Sequence, residues 1–311
     1  MANNIEGNEI KHFYNSNDPQ INRVAQNVEL ASQITTLETS TISAELNDNS
    51  FHKFYNFPKY YDKAFSRDVK SDISFFRSCF QQYSEGEVKR VLEVACGPGM
   101  FVEILPEYGF YALGYDLSPA MVEYAKEKLK KSGLNINQAD VIEGNMKNMR
   151  FDEKFDAAFI CINSLGYLRT EEDISSHFKV MSESLKTGGI YIVEISCKCD
   201  DIKNEKKFDD TWYVKEENLN LELTWAVIWY DIDKRIRYVD FHMIINDHGY
   251  KKYIKEAHEL RLWIYDEFKQ FTKAAGFEIL GIFNQNYEKI SDNTPITGEL
   301  GALFFILKNI S

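Results

Sequence analysis

A glycine-containing turn and an acidic residue shortly after it are the residues of this sequence best placed to do chemistry. The apolar segment Val91–Val94 leads into the turn Ala95–Gly99, and Asp116 follows a second apolar segment at 111–115. Glycines let the backbone pass close to a ligand where a Cβ atom would clash. A carboxylate at the end of the neighbouring strand can accept hydrogen bonds from both hydroxyls of a ribose. The spacing therefore predicts a pocket for a nucleoside.

The turn distinguishes between two classes of nucleoside cofactor. A dinucleotide site has a third glycine that lets the helix pack close to the strand beside the pyrophosphate. Val102 stands at that position, and no Lys or Arg is near it to meet a phosphate. Glu93 stands four residues before Gly97, and this E-x-x-x-G-x-G pattern resembles the motif of methyltransferases that use S-adenosylmethionine (SAM). We therefore predict SAM, which has no phosphate, rather than NAD.

The composition limits the class of protein and of partner. The chain has 311 residues, 44% of them hydrophobic and 27% charged, which fits one large domain or one domain with an insertion. A net charge of −12 argues against a nucleic-acid partner, which would need a basic surface, and favours a small-molecule substrate. No apolar run is as long as a membrane span and no secretory signal is visible, so no membrane partner is expected.

The cysteines indicate a reducing environment. Five cysteines form no paired framework, and an odd number favours free thiols in the cytoplasm. Cys197 and Cys199 form one C-x-C without a second cluster, which is too weak to predict a metal site. We therefore expect a cytoplasmic protein without a bound metal.

Strand and helix patterns alternate along the middle of the chain, which predicts an α/β fold whose parallel sheet has helices on both faces. Between about 200 and 263, segments rich in Trp, Tyr, Val and Ile are separated by turn residues, as in antiparallel hairpins. The first 50 residues are polar, with a helix predicted near 19–38. The predicted organisation is an N-terminal helical arm and lid at 1–50, a SAM-binding domain at 51–199 and 264–311, and an antiparallel β insertion at 200–263 for acceptor binding, dimerisation or both.

The order of these elements resembles a class I SAM-dependent methyltransferase over roughly residues 51–310, which implies a Rossmann-like sheet. Three segments, at 161–168, 185–189 and 258–262, are similar to the deoxyaminosugar N,N-dimethyltransferase branch and to related small-molecule methyltransferases. The resemblance therefore implies an enzyme that methylates a small molecule.

The resemblance also implies roles for individual residues around the cofactor. Glu93 is expected near the amino end of the methionine, and Asp116 at the ribose hydroxyls. Leu117 and Met121 are expected against the adenine. Asn145 takes the position after the third strand where the family commonly has an acid, and its amide can both accept and donate. The predicted cofactor contacts are Tyr61, Glu93, Ala95, Cys96, Gly97, Gly99, Asp116, Leu117, Met121, Asn145, Met146, Cys161 and Ile162.

Candidates for the acceptor side come from histidines, carboxylates and aromatic residues. A phenol or ammonium acceptor must lose a proton before it can attack, usually to a His or a carboxylate. His242, on an insertion strand, and Glu194, near the end of the fifth strand, are the predicted bases, whereas His177 is expected in solvent. The predicted catalytic residues are His242, Glu194 and Tyr167, and the predicted substrate contacts are Leu165, Tyr167, Trp225 and Arg261.

Alternation along the insertion predicts which side chains share a face. It places Trp225, Val227 and Trp229 on one face and the residues between them on the other. Both faces are apolar, so each is expected to be covered, one by the main domain and one by a partner or the arm. This pattern favours a homodimer.

Together these observations predict a SAM-dependent methyltransferase that acts on a small amine, such as an aminosugar or an amino-acid-like metabolite. Three alternatives stay open. The first is a small-molecule O-methyltransferase with the same pocket. The second is an enzyme that uses SAM itself as the substrate and cyclises or transfers its aminobutyrate chain. The third is a non-catalytic SAM-binding subunit.

Overall fold

The computed structural model of the protein describes residues 53–197 and 209–311, which form two β-sheets and the helices that cover them. The predicted arm at 1–50, with its helix near 19–38, and Cys199 lie outside the described residues. Within the described ranges, none of the helices combines the length and the apolar character that a membrane span requires.

The main sheet has seven strands. They are β1 (Arg90–Val94), β2 (Tyr111–Asp116), β3 (Ala139–Glu143), β4 (Phe155–Ile160), β5 (Leu185–Ser196), β10 (Phe277–Phe283) and β11 (Ala302–Asn309). Their order is β10-β11-β5-β4-β1-β2-β3, and β11 alone runs antiparallel to its neighbours. The predicted Rossmann-like parallel sheet is therefore confirmed.

Six α-helices belong to the described part of the chain. They are α1 (Pro58–Phe65), α2 (Lys70–Tyr83), α3 (Met100–Ile104), α4 (Pro119–Lys131), α5 (Glu171–Ser184) and α6 (Tyr265–Ala274). Helices α2, α3 and α4 bury apolar side chains such as Phe76 and Val102 in a core on one face of the main sheet. Helices α5 and α6 bury Phe178 and Phe268 in a core on the other face. Helices thus cover both faces, as predicted.

Two helix starts show how local sequence positions these elements. Ser118 precedes Pro119, and its hydroxyl accepts a hydrogen bond from the Met121 backbone N–H at 3.4 Å. Thr170 caps α5 in the same way. A capping hydroxyl satisfies a backbone donor that the first turn leaves unpaired, and this stabilises the start of each helix at that residue.

The insertion is a separate four-stranded antiparallel sheet, as predicted. Its strands are β6 (Asp209–Lys215), β7 (Leu219–Asp231), β8 (Ile236–Asp247) and β9 (Tyr250–Arg261), paired in that order. Hairpin turns connect β7 to β8 and β8 to β9. His248 and Gly249 both have positive φ angles, 50° and 84°, as a two-residue hairpin turn requires.

The inner face of the insertion sheet packs on the segment that begins the described chain. Leu223, Phe241 and Met243 form a third core with Phe54 and with the aromatic side of α1. Ion pairs fix α1 at both ends of this contact, with Lys59 Nζ 2.6 Å from Asp247 and Lys63 Nζ 2.6 Å from Glu216 on the insertion. A third pair joins Asp62 to Lys128 of α4. Helix α1 is therefore held between the insertion and the main domain.

A β-bulge corrects the predicted face of Trp229. The pairing of β7 with β8 passes from Val227 opposite Val239 to Trp229 opposite Tyr238, so Ile228 is an extra residue. An extra residue inverts the alternation beyond it. Trp229 therefore lies on the outer face, where it is 57% exposed and stacks on Tyr238 at 5.0 Å between ring centroids. Other exposed apolar side chains of the insertion are Tyr213, Ile228, Ile244, Tyr250 and Tyr253.

Candidate active site at the carboxyl ends of the parallel strands

The turn after β1 has an unusual backbone conformation. Ala95, Gly97 and Gly99 have positive φ angles of 53°, 52° and 70°. The Cys96 N–H donates to the Tyr115 carbonyl, and the Cys96 carbonyl accepts from the Gly99 N–H, both at 3.0 Å. The Cys96 thiol is buried in the core of the α2 face. Cys96 thus closes the turn, and because its thiol is buried, only its backbone is suited to the predicted cofactor contact.

Asp116 joins this turn to the end of β2. Its Oδ2 accepts from the Gly97 N–H at 2.8 Å, and its Oδ1 accepts from the Ser118 N–H at 2.9 Å. Burial raises the pKa of the Asp116 carboxyl, while these backbone hydrogen bonds oppose the rise. Each carboxylate oxygen has a further lone pair, so the group can still accept two hydroxyl hydrogen bonds. The geometry fits the predicted role at a ribose.

Glu93 offers the clearest fit for a cationic group. Its side chain is buried, and among the described residues its Oε2 has no hydrogen-bond partner. Burial raises the pKa of the Glu93 carboxyl well above its ordinary value. The backbone N–H of Val102 and the charge of Lys128 have the opposite, smaller effect and lower the pKa. An unsatisfied buried acceptor is costly, so the site is suited to a ligand that donates here. The amino group of the methionine of SAM is such a donor.

The Tyr61 ring covers the turn at Gly97. A Cβ atom on Gly97 would lie 3.9 Å from Tyr61 Cε1, so the ring lies directly over this glycine. The Tyr61 ring stacks on Phe65 with 4.5 Å between centroids. Burial raises the pKa of its phenol, and the charges of Asp116 and Glu93 add to the rise. Tyr61, Glu93, Gly97 and Asp116 are thus brought together around one space.

The predicted adenine side lies along the ends of β2 and β3. Leu117 is 50% exposed, whereas Met121 is buried in the first turn of α4. The Asn145 Oδ1 accepts from the Lys147 N–H at 3.0 Å, so the side chain shapes its own turn. The amide nitrogen of Asn145 is then the group suited to meet an acceptor nitrogen of a base. The Met146 side chain packs partly into the core of the α5 face.

His177 was expected in solvent, and this prediction is wrong. Its side chain is fully buried, with Nδ1 2.9 Å from the Met146 carbonyl and Nε2 2.9 Å from the Tyr191 hydroxyl. The helix is polar at this point of the sequence, but the loop after β3 covers that side of it. His177 therefore anchors Met146, next to the predicted adenine contact Asn145.

This buried histidine predicts a loss of stability in acid. Burial lowers the pKa of His177 from 6.5 to about 4, so the fold favours the neutral ring. The stabilisation is complete above pH 6.5 and is lost as the pH falls towards 4, where the loss reaches about 3 kcal/mol. Urea unfolding across this range should show that His177→Gln lacks this part of the pH dependence. Parallel pH curves for the two proteins would contradict the assignment.

A strained turn follows β4 at the same edge of the sheet. Ile162 and Asn163 both have positive φ angles, 56° and 53°, which is exceptional for a β-branched residue. Glu194 Oε2 accepts from the Ile162 N–H at 2.8 Å, and Asn163 Oδ1 accepts from the Ser196 N–H at 3.2 Å. The Cys161 carbonyl accepts from Ser164. This arrangement favours a structural role for Glu194 over the predicted role of general base.

A pair of substitutions separates these two roles of Glu194. We expect Glu194→Gln to keep the hydrogen bond to Ile162 and to retain activity within a few-fold, whereas Glu194→Ala loses about 2 kcal/mol of stability. A general base would instead lose about 100-fold or more in kcat in both variants. Chemical denaturation and steady-state kinetics on the two variants measure the difference, and a collapse of kcat in Glu194→Gln would contradict the structural role.

A chain of polar side chains runs from the cofactor side into the insertion. The Tyr55 and Tyr167 hydroxyls lie 2.7 Å apart, and the Tyr167 hydroxyl lies 2.9 Å from His258 Nδ1. His258 Nε2 lies 3.0 Å from Glu256 Oε1, and the Trp225 ring lies 5.1 Å from the His258 ring. Tyr167 and Trp225 were predicted at the acceptor side. Sequence reasoning missed Tyr55, His258 and Glu256, although the two-residue spacing of the last pair places both on one face of β9.

His242 lies elsewhere. Its ring contacts Asp240 and Tyr253 on the outer face of the insertion, whereas its neighbours Phe241 and Met243 point into the inner core. Because adjacent strand residues face opposite sides, the ring points away from Tyr55 and Tyr61. The structure does not bring His242 to the site.

Two predicted substrate contacts are also placed apart from the site. Leu165 is fully buried in the core of the α5 face, where it packs against other apolar side chains. Arg261 is buried, with its guanidinium 3.0 Å from the Glu267 carboxylate and 3.2 Å from the Arg169 carbonyl. Both side chains thus make structural contacts. Strand alternation turns the Arg261 side chain away from the face of β9 that carries His258.

Comparison with known proteins identifies the domain that carries this site. A family model described as a methyltransferase domain matches residues 91–189, which contain the glycine turn, Asp116 and the strained turn after β4. A Bacillus subtilis protein, YqeM, provisionally named a methyltransferase, is 27% identical over 194 residues, which are 62% of this chain and 75% of that one.

Two further proteins are similar to this chain. The dTDP-3-amino-3,4,6-trideoxy-alpha-D-glucopyranose N,N-dimethyltransferase of Streptomyces venezuelae is 33% identical over 109 residues, 35% of this chain and 43% of that one. The crystal structure of a SAM-dependent methyltransferase from Clostridium acetobutylicum has the same fold, with a TM-score of 0.65 and 22% identity over 83% of this chain and 99% of that one.

Proposed function

Because this chain carries the methyltransferase domain of the class I SAM-dependent enzymes, we propose that it methylates the nitrogen of a small-molecule amine, an aminosugar or an amino-acid-like metabolite. The observation that carries the proposal is the group of aromatic and acidic side chains beside the cofactor turn, formed by Tyr55, Tyr167, Trp225 and Glu256. The likeness to the Streptomyces venezuelae sugar N,N-dimethyltransferase supports the same class of acceptor.

The donor half of the proposed site is built from the strand ends. Glu93 would meet the amino group of the methionine, Asp116 the ribose hydroxyls, and the Tyr61 ring would cover the turn. Bound SAM supplies a methyl group on a sulfonium, whose departure as a thioether needs no acid. The residues gain rate by alignment, because fixing nucleophile and electrophile in line removes much of the entropic barrier.

The acceptor half suits a cation. An amine arrives largely as its ammonium form, and aromatic rings such as Trp225 stabilise a cation over their faces. The hydroxyls of Tyr55 and Tyr167 can orient the nitrogen, since each can accept an N–H hydrogen bond. The net charge of −12 favours the approach of a cationic substrate over that of an anionic one.

A product screen tests this proposal. Purified protein is incubated with SAM and 3-amino-3-deoxyglucose, glycine or catechol, and the nucleoside products are identified by mass spectrometry. We expect S-adenosylhomocysteine to form with an amine. Formation only with catechol would indicate an O-methyltransferase, and methylthioadenosine would show that SAM itself is the substrate. A protein that binds SAM and forms no product with any acceptor would be a non-catalytic subunit.

We also propose a homodimer in a reducing, cytoplasmic compartment. The outer face of the insertion, with Trp229 and Tyr253 exposed, is a surface that a second copy would cover. Cys79, Cys96 and Cys161 are buried free thiols, which supports a reducing environment. Light scattering on the purified protein measures the oligomeric state directly.

A further inference from the structure

The hydrogen bonds that run from Tyr55 through Tyr167 to His258 have one direction. Glu256 Oε1 lies 3.0 Å from His258 Nε2 without a hydrogen bond between them, and the negative charge of the carboxylate favours a proton on this nitrogen. In a neutral imidazole the other nitrogen, Nδ1, is then an acceptor, and the Tyr167 hydroxyl donates to it at 2.9 Å. With its proton so committed, the Tyr167 oxygen accepts from the Tyr55 hydroxyl at 2.7 Å. Both hydroxyl donors of the chain thus point towards His258.

The chain begins beside the cofactor turn and ends under the insertion. The Tyr55 ring lies 5.7 Å from the Tyr61 ring, which covers Gly97. The negative charge of Asp116 contributes to the raised pKa of both Tyr55 and Tyr167, after the larger effect of burial. His258 is fully buried, enclosed by the rings of Trp225 and Phe241. The first member is thus placed to meet an acceptor, and the last two are shielded from water.

Neither tyrosine can serve as a base alone. Because burial raises the pKa of both phenols, each hydroxyl keeps its proton. It can accept a second proton only if it transfers its own proton to the next group of the chain. A neutral imidazole backed by a carboxylate is a suitable final acceptor, since the carboxylate stabilises the imidazolium that forms. The charged groups that act on the two tyrosines are Asp116 beside the cofactor turn, Glu256 at the end of the chain, and Arg237, which acts on Tyr167.

We propose that Tyr55, Tyr167, His258 and Glu256 form a proton relay that removes the proton from the ammonium group of the acceptor, an inference that rests on the proposed N-methylation. The N–H bond of the ammonium breaks as its proton bonds to the Tyr55 oxygen. The Tyr55 proton moves to the Tyr167 oxygen, and the Tyr167 proton moves to His258 Nδ1. The amine keeps the electron pair with which it attacks, and the charge of Glu256, whose Oε1 lies 3.0 Å from Nε2, stabilises the imidazolium. After the product leaves, the proton returns along the chain to water.

His258→Gln tests the relay because it can preserve the hydrogen bond with Tyr167 and removes the basic nitrogen. The glutamine carbonyl can accept from Tyr167, but the glutamine side chain does not take up a proton. With 3-amino-3-deoxyglucose we expect kcat/KM at about pH 6.5 to fall by about 100-fold. At about pH 9.5, where the amine is already neutral, the variant should come within a few-fold of the original protein. A loss of the same size at both pH values, or no loss, would overturn the proposal.

The outer face of the insertion provides a matched control. His242 also contacts a tyrosine and an aspartate, Tyr253 and Asp240, but lies away from the site. His242→Gln should leave kcat/KM unchanged at both pH values. Calorimetry should show the same SAM affinity for both glutamine variants, which establishes that the fold of the donor site is intact. A pH-dependent loss in His242→Gln equal to that in His258→Gln would overturn the assignment to this chain.

A spectroscopic measurement is independent of turnover. In protein labelled with ¹⁵N-histidine, long-range ¹H–¹⁵N correlation should show His258 neutral, protonated at Nε2 and unprotonated at Nδ1. A proton on Nδ1 would reverse the hydrogen bond with Tyr167 and overturn the relay. If the original protein methylates no amine, the proposed function fails, whereas an active protein with an unimpaired His258→Gln variant refutes only the relay.

Discussion

The affinity for SAM should fall by about 100-fold when Asp116 is replaced by alanine, a loss of about 3 kcal/mol. In the proposed site two hydrogen bonds from ribose hydroxyls to the Asp116 carboxylate would be lost together, and each hydrogen bond to a charged group contributes about 1.5–3 kcal/mol. The substitution also releases the Gly97 N–H, to which Asp116 is bonded at 2.8 Å, so the turn keeps the hydrogen bond from Cys96 to Tyr115 but loses this second link to β2. Isothermal titration with SAM measures the effect.

Asp156 is a matched control for this measurement. Its Oδ2 accepts from the N–H groups of Lys89 and Arg90, both at 2.8 Å, so it also holds a backbone segment at the edge of β1. These contacts lie at the amino end of the strand, opposite the site. Asp156→Ala should therefore lower the melting temperature and leave SAM affinity unchanged. Equal SAM affinity in Asp116→Ala and the original protein would refute the ribose assignment.

The donor half of the site could be predicted because its parts are close in sequence. Glu93, Gly97 and Asp116 belong to one strand–turn–helix–strand unit, and local spacing alone fixes which side chains reach the carboxyl ends of β1 and β2. Ser118 and Pro119 mark the next helix in the same way. Periodicity and turn chemistry are local properties, and they specify this unit without knowledge of the rest of the fold.

The proposed acceptor half could be predicted only in part, because distant segments build it. Tyr55 and Tyr167 are separated by 112 positions and Tyr167 and His258 by 91, so no spacing rule joins them. The prediction took His242 instead of His258. Both lie on insertion strands, and only the packing of the sheet on Phe54 decides which of its faces points inward.

Two other errors have the same origin. The extra residue in β7 moves the side chains that follow it to the opposite face of the sheet. A prediction from strict alternation therefore places Trp229 on the wrong face. His177 lies on a helix with a polar sequence, and it is buried because the Met146 carbonyl and the Tyr191 hydroxyl satisfy its ring. In each case a tertiary contact overrides a local pattern, and the sequence carries the pattern but not the contact.

Gly97→Val should abolish measurable SAM binding, with a loss of at least about 100-fold in affinity. At Gly97 the backbone passes under the Tyr61 ring, and a Cβ atom there would already lie 3.9 Å from Tyr61 Cε1. The branches of valine extend further, towards the ring and into the space beside the turn where we propose that the cofactor lies. Titration calorimetry measures the affinity, and thermal unfolding measures the accompanying change in stability.

The control must carry the same backbone penalty, because Gly97 has a φ of 52° and any L side chain there costs about 1–2 kcal/mol. Gly133 has a φ of 75°, and a Cβ atom added to it meets nothing within 4 Å. Gly133→Val should therefore lose similar stability and keep the affinity of the original protein. If both variants bind SAM equally well, the close approach of a cofactor to Gly97 is refuted. If only Gly97→Val loses binding, backbone strain is excluded as the cause, and the turn under Tyr61 is the site where the cofactor lies.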